Sequence, residues 1–335
     1  IAPAKDVLGV AKRFKPKGGV IGAFLLVVPT KGEDEERIHD LCQEAAELSE
    51  EWDIVAGYSP QAWSIVVLAK ELLALHKVSN DHPELAGDPV ARREVSARIA
   101  EMQAQLEMEL SKFVAEATWC RKGELPKQYS QTGLNGLASD LAARRFSRSP
   151  TLHNELLNRQ KPSGSAIAGQ NRLLKRMIMH EAEPCLGIEG FPVEGGLYAS
   201  LLRATGIHAE TENGWRFVTP PEDDKEHNLA PAWNAAIKYI KDRKDRPVTV
   251  AEIFDNCWAK KPFGIKPGLM PVLSVAFILS QRDHLAVYRQ GLFRAIFDDV
   301  DVDYLAKDAE TIQLRWMDID RVSRSLLSEM VDLVR

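Results

Sequence analysis

Four short clusters hold the residue types from which a chemical site could be built. His153-Asn154-Glu155 places an imidazole beside a carboxylate, as a metal or acid/base site would; its plainer reading is a helix start capped by Asn154 or Thr151. His180-Glu181 opens like a zinc-protease motif, but Ala182-Glu183 follows and the second His is missing. Asp298, Asp299, Asp301 and Asp303 resemble half a cation loop without the Gly and terminal Glu of a calcium site, which favours a solvated acidic turn. Gly18-Gly19 lacks the Lys-Ser/Thr of a phosphate-binding loop, and the apolar run before Pro29-Thr30 ends without the carboxylates that would hold Mg²⁺. No Gly-x-Ser-x-Gly elbow occurs. The expectation is therefore a chain with no catalytic residues, no metal site and no cofactor of its own.

Cationic chemistry is the alternative. The net charge of −5 carries no overall nucleic-acid signature, so any contact must come from local patches. One candidate is the stripe Arg172, Lys175 and Arg176 on an amphipathic helix, with Arg216 on a following hairpin. The other is Lys238, Lys241, Arg243, Lys244 and Arg246, with Lys260 and Lys261 nearby. Lys and Arg in such stripes meet phosphates and supply affinity without reading sequence; solvated helix faces are the plainer reading. The opposite imbalance lies at 31–51, where nine acidic residues meet two basic ones.

These clusters need elements to position them. Gly22–Thr30 is an apolar run of strand length, Glu35–Leu48 has helical spacing, and Trp52–Tyr58 reads as a strand; strand, helix, strand predicts a parallel βαβ unit, expected here as the remnant edge of an α/β domain. In 61–77, Ile65, Leu68, Leu72 and Leu75 form one stripe. From Pro89 on, Val95, Ile99, Met102, Leu106, Leu110, Phe113 and Ala117 step by four and three. Two helices paired as a long hairpin follow, with Leu106 and Leu110 buried in a seam running to about Cys120. Lys122–Tyr129 reads as turn-rich, and Leu134–Phe146 as one more helix.

After Thr151 the order changes to helices followed by small hairpins. Ser165–His180 is amphipathic, with Ile167, Leu173, Leu174, Met177 and Ile178 as its buried side; a helix over 194–205 and a hairpin at Asn213-Gly214 follow. The order recurs as Ala230–Arg243, a helix capped by Thr249 with Glu252, the apolar helix Lys266–Gln281, and a hairpin over Leu285–Phe297. Val300–Lys307, a strand at Ile312–Trp316 and a terminal helix at Asp320–Val334 end the chain. The expected class is mainly α with small β elements: a βαβ segment at 1–60, a helical hairpin at 61–150, and winged-helix-like modules at 151–225 and 226–335. The longest apolar run, Leu269–Leu279, falls well short of the roughly 20 residues that cross a bilayer. Four scattered cysteines fit neither a zinc site nor a disulfide framework, which leads to an expected cytoplasmic location. The chain starts at Ile1 without an initiator Met, giving the expectation of a fragment or processed product of something longer.

Three stretches carry a resemblance: LHNELLNRQKPSGSAIAGQNRLLKRMI, LGIEGFPVEGGLYASLLRATGIH and KPFGIKPGLMPVLSVAFILSQRDHLAVYRQGLF. Together, over roughly 150–310, they resemble the C-terminal, non-P-loop portion of very large prokaryotic ATPases of phage-defence islands, of the BREX kind and of the related phosphorothioation-linked systems. The resemblance implies a parent protein that uses ATP and Mg²⁺ through a portion outside this chain. It implies other defence proteins as partners; with the basic stripes and the winged-helix order, the expected function is a DNA-binding or assembly region that contacts double-stranded DNA, the alternative being a protein-protein scaffold without nucleic-acid contact, and the short apolar run leaves no membrane expected. The resemblance supplies no catalytic residue here.

Overall fold

The computed structural model describes residues 1–15, 20–29, 33–48, 52–59, 62–82 and 87–317. The helix expected at 320–334 lies outside them. The chain is mainly helical with small sheets and divides into two compact units, 1–143 and 144–335.

In the first unit, β1 (Ala2–Pro3), α1 (Val7–Arg13), β2 (Gly22–Val28), α2 (Glu35–Glu47), β3 (Asp53–Tyr58), α3 (Ala62–Asp81), α4 (Pro89–Glu116), β4 (Thr118–Arg121), β5 (Glu124–Gln128) and α5 (Gln131–Arg145) follow in order. The βαβ unit is present: β2 and β3 run parallel, Leu25 opposite Ala56. Asp34 caps α2 by accepting from the Arg37 N–H, and its Ile38, Leu41, Cys42 and Ala45 are buried. The sheet does not stop there. Its order is β1-β2-β3-β4-β5, completed by an antiparallel hairpin at 118–128 that returns after the helical hairpin. The seam helix accordingly ends at Glu116, short of Cys120, and 122–129 is largely strand. The reversal is fixed by Trp119, whose indole covers Gly57 so closely that a Cβ there would stand 2.5 Å from the ring. Residues assigned from sequence to a strand segment and to a helical segment thus share one sheet.

The α3–α4 hairpin keeps the expected faces. Ile65 and Leu68 are buried on α3, and Met102 and Phe113 on α4. Leu106 and Leu110 are only half-buried, because the two-helix seam is open to solvent on both flanks.

In the second unit come α6 (Gly164–Met179), α7 (Val193–Tyr198, continued with wider turns to Arg203), β6 (His208–Thr211), β7 (Gly214–Phe217), α8 (Ala230–Lys241), β8 (Val248–Thr249), α9 (Val250–Ile253, continued to Trp258), α10 (Met270–Ser280), β9 (Leu285–Arg289), β10 (Leu292–Arg294), α11 (Asp299–Lys307) and β11 (Ile312–Trp316). One apolar core runs from Leu152 to Trp316, so the segments read as two modules share it. At its centre α10 is buried over nine consecutive residues, Pro271–Leu279. Trp233, Trp258 and Phe277 pack ring to ring within 5.8 Å of one another; the Trp233 indole donates to the Ser280 hydroxyl and that of Trp258 to the Ala232 carbonyl. The β9–β10 turn is Gln290-Gly291, both with positive φ, which fits the twist of a two-residue hairpin. In the other hairpin Thr211 pairs with Gly214, so the turn is Glu212-Asn213, one residue earlier than Asn213-Gly214 suggests. The four-stranded sheet has the order β10-β9-β11-β8, with the last strand inserted between the hairpin and β8. Ile167, expected inside, is 42% exposed, because the buried arc of α6 centres on Gln170, Leu173 and Met177.

Phe113→Ala is expected to cost about 3–5 kcal/mol and Leu106→Ala only about 1–2 kcal/mol in urea unfolding, reflecting their unequal burial; equal losses would show that the seam is closed. Among the described residues the Ser274 hydroxyl, buried in α10, has no hydrogen-bond partner. Ser274→Ala should therefore leave stability unchanged or raise it by about 1 kcal/mol, and a clear loss in the same measurement would reveal a partner.

Candidate functional site

The three cations of the α6 stripe are partly exposed, and each has a partner within the unit. Arg172 Nε lies 3.0 Å from Glu194 Oε2, and Lys175 Nζ 3.2 Å from Asp303. Arg176 Nη1 donates to the carbonyls of Leu186 (3.2 Å) and Gly187 (2.8 Å). Those carbonyls belong to a turn in which Cys185, Leu186 and Gly187 all have positive φ. The left-handed conformation costs a non-glycine residue about 1–2 kcal/mol, and Leu186 accepts it because its side chain is fully buried. The expected exposed stripe is therefore a set of fasteners: α6 to α7, α6 to α11, and α6 to the left-handed turn. Burial pushes the Glu194 carboxyl up, but its own backbone N–H and the Arg172 guanidinium outweigh this and hold it below the usual value.

The other acidic and basic residues singled out by sequence are similarly placed. Arg216 lies 3.9 Å from Asp283. Glu181 accepts from the Phe217 N–H and from Arg282, tying the β6–β7 hairpin to the residues after α10. The aspartates of 298–303 are not a solvated turn: Asp301 is fully buried, and Arg289 (2.8 Å) and Arg294 (3.1 Å) converge on it. Asp298 and Asp301 also form the capping box of α11. Burial raises the Asp298 carboxyl, but the Asp301 N–H and Arg294 more than offset that and lower it. Asn154 accepts from the Leu157 N–H and donates to the Ser200 hydroxyl, so it closes a turn, while His153 and Glu155 point outward. Among the described residues no group of three or more His, Cys, Asp or Glu is arranged to hold a metal ion. Burial raises the Cys42 thiol, and pushes Cys120 and Cys257 up to about 11 each, so these thiols stay protonated.

The second basic patch is more open. Lys238, Lys241, Lys244, Arg246, Lys260 and Lys261 are exposed. Lys241 lies 4.4 Å above the Trp316 ring, which also stacks on His284. Arg243 is laid flat on Tyr239, 3.7 Å from the ring centre, and donates to its carbonyl. Arg246 pairs with Glu252, and Lys260 donates to Asn256. The structure thus gathers the α8 end, the following loop and the end of β11 into one cationic and aromatic edge.

Sequence reasoning missed an apolar surface on the β9–β10 hairpin. Leu292 is 74%, Phe293 61% and Ile296 75% exposed. The available signal was Gly291-Leu-Phe, apolar residues beside a turn where polar ones are usual. Among the described residues no helix is long and apolar enough to cross a membrane. Comparison with known protein families, with curated proteins and with solved structures finds no match.

His208 gives this region a pH dependence. It is buried between Trp215 and Phe217; its Nε2–H donates to the Glu181 carbonyl at 2.8 Å, and Nδ1 accepts from the Tyr198 hydroxyl at 3.0 Å. Burial lowers its pKa from the ordinary 6.5, with the Glu181 carbonyl acting in the opposite direction. As pH falls through about 6.5 the unfolded chain takes up a proton that the folded chain does not, so stability drops. His208→Gln should flatten the fall in urea midpoint between neutral pH and about pH 5; an unchanged slope would show that another group governs it.

Proposed function

We propose that this chain is a non-catalytic assembly region of a prokaryotic anti-phage defence ATPase, acting in the cytoplasm through contacts with other defence proteins. ATP and Mg²⁺ belong, on this reading, to the parent protein. The three stretches that resemble that family support it by their interlocking. Asn154 of the first bonds Ser200 of the second. Gln170 of the first donates to the Gly268 carbonyl of the third, while the Gly268 N–H donates back to the Arg159 carbonyl. A Cβ at Gly268 would stand 2.2 Å from the Leu157 carbonyl oxygen, which accounts for a glycine there.

The helices α8, α9 and α10 with the β9–β10 hairpin follow the order of a winged-helix module, and α6, α7 and the β6–β7 hairpin suggest a second. A winged helix that reads DNA lays one helix in the major groove and sets cations on its wing. Here α10 has no exposed face and both hairpin arginines turn to Asp298 and Asp301. The observation that carries the protein-contact reading is the wing itself, which offers Leu292, Phe293 and Ile296 to the outside. A second reading, duplex DNA on Lys238, Lys241, Lys244 and Arg246, is favoured by their exposure along the α8 end and the loop after it; Lys260 and Lys261 are exposed as well.

Two measurements separate them. The Leu292→Asp/Phe293→Asp variant should lose co-purification with the other proteins of its defence system, and labelled duplex DNA should bind weakly to either form. Steep salt-dependent duplex binding, reduced in slope by about 0.9 per lost phosphate contact in a Lys238→Glu/Lys244→Glu/Lys261→Glu variant, would transfer the function to DNA. Arg172, Lys175 and Arg176 are unsuitable for that test, because reversing them would loosen the fold.

A further inference from the structure

Helix α3 is apolar on two sides. Ile65, Leu68, Leu72 and Leu75 face α4. The opposite side carries Trp63 (48% exposed), Val67 (60%), Leu73 (69%) and Val78 (40%). A surface helix covered on one side normally has polar residues on the other. On its neighbour α4 the exposed apolar residues are Val90 and Met108, eighteen positions apart, and charged or polar residues such as Arg92, Arg93, Glu94, Glu101, Gln103 and Glu107 stand between and around them. The outward side chains of α3 are spread along a helix about 30 Å long.

The charges on this face are one-signed. Trp63, Val67, Lys70, Ala74, Lys77 and Val78 recur at steps of three, four and one, so Lys70 and Lys77 stand within the apolar stripe. Among the described residues neither lysine has a carboxylate partner, whereas Glu71, on the flank, is turned to Arg98 of α4. No carboxylate shares the stripe before Asp81, at its end. Lys70 and Lys77 lie seven residues apart, which is two helical turns.

We propose that this outer face docks an amphipathic helix of another protein, one with an apolar stripe to cover Trp63, Val67, Leu73 and Val78 and with Glu or Asp flanking it at heptad spacing to meet Lys70 and Lys77. A second copy of α3 would bring lysines of the same sign to the same stripe. The acidic helix of this chain, α2, already spends its apolar side on the sheet, where Ile38, Leu41, Cys42 and Ala45 are buried. Neither is a fitting occupant. The apolar stripe supplies affinity and the lysines supply the choice of partner, as flanking charges do in coiled coils.

The test uses the full chain and a labelled synthetic helix with Leu at positions a and d and Glu at e and g, whose like charges keep it from pairing with itself. A control peptide carries Lys in place of Glu. The Glu peptide should bind saturably in fluorescence anisotropy, at least tenfold tighter than the Lys peptide. Val67→Glu, an exposed change verified as folded by circular dichroism, should weaken binding at least tenfold, and Lys70→Glu/Lys77→Glu should reverse the preference. Equal binding of the two peptides, or binding indifferent to Val67→Glu, would overturn the proposal. So would a dimer in light scattering that Val67→Glu dissolves, since the face would then belong to a second copy.

Discussion

The second unit is organised by one constraint: α10 must be kept from water on every side. Nine consecutive residues from Pro271 to Leu279 have no exposed face. At about 25 cal/mol per Å² such a segment is stable only if neighbours enclose it completely. The neighbours include α6, α8, α9, α11 and the β6–β7 hairpin, and their sequences follow from the task. Gly268 lets the turn before the helix press against the Leu157 and Arg159 carbonyls. Trp233 and Trp258 supply large apolar bodies with an N–H that finds a partner. Ser274 is the exception, a hydroxyl in the apolar centre without a partner among the described residues.

Enclosure on all sides explains where the charges went. Elements that wrap a common helix meet each other at their edges, half out of water. There Arg172–Glu194, Lys175–Asp303, Arg282–Glu181 and the Asp301 pair with Arg289 and Arg294 hold them in register. Pairs at half-exposed edges contribute little net stability, but a buried carboxylate such as Asp301 would be costly to leave without its arginines. Electrostatics in this unit fixes geometry. Among the surfaces that this leaves exposed are the apolar tip of β9–β10, the cationic edge after α8 and, in the first unit, the outer face of α3.

The first unit shows a different economy. Its two-helix seam is narrow, so only Met102 and Phe113 of α4 reach full burial, and the sheet beside it must close locally. It does so with the β4–β5 hairpin, brought back by the length of α3 and α4 and seated by Trp119 on Gly57.

Much of this was determined by sequence alone, wherever a local period states which way a side chain faces. The strand, helix, strand order of 22–58, the seam side of the helix up to Phe113, the Thr249 cap and the central place of 269–279 are legible because neighbours a few residues apart decide them. The mainly helical class with small sheets follows from the same periods. Tertiary structure alone decided the rest. Nothing in Thr118–Gln128 says that it pairs with a strand 60 residues earlier, and nothing in Arg282 says that its carboxylate is Glu181, 101 residues away. The basic stripe of α6 is the clearest case. Helical spacing gave Arg172, Lys175 and Arg176 one side of the helix correctly, but whether that side meets solvent or Glu194, Asp303 and a left-handed turn depends on α7 and α11 arriving there. A local pattern fixes direction along its own element; what lies in that direction is set by contacts between residues far apart in the chain.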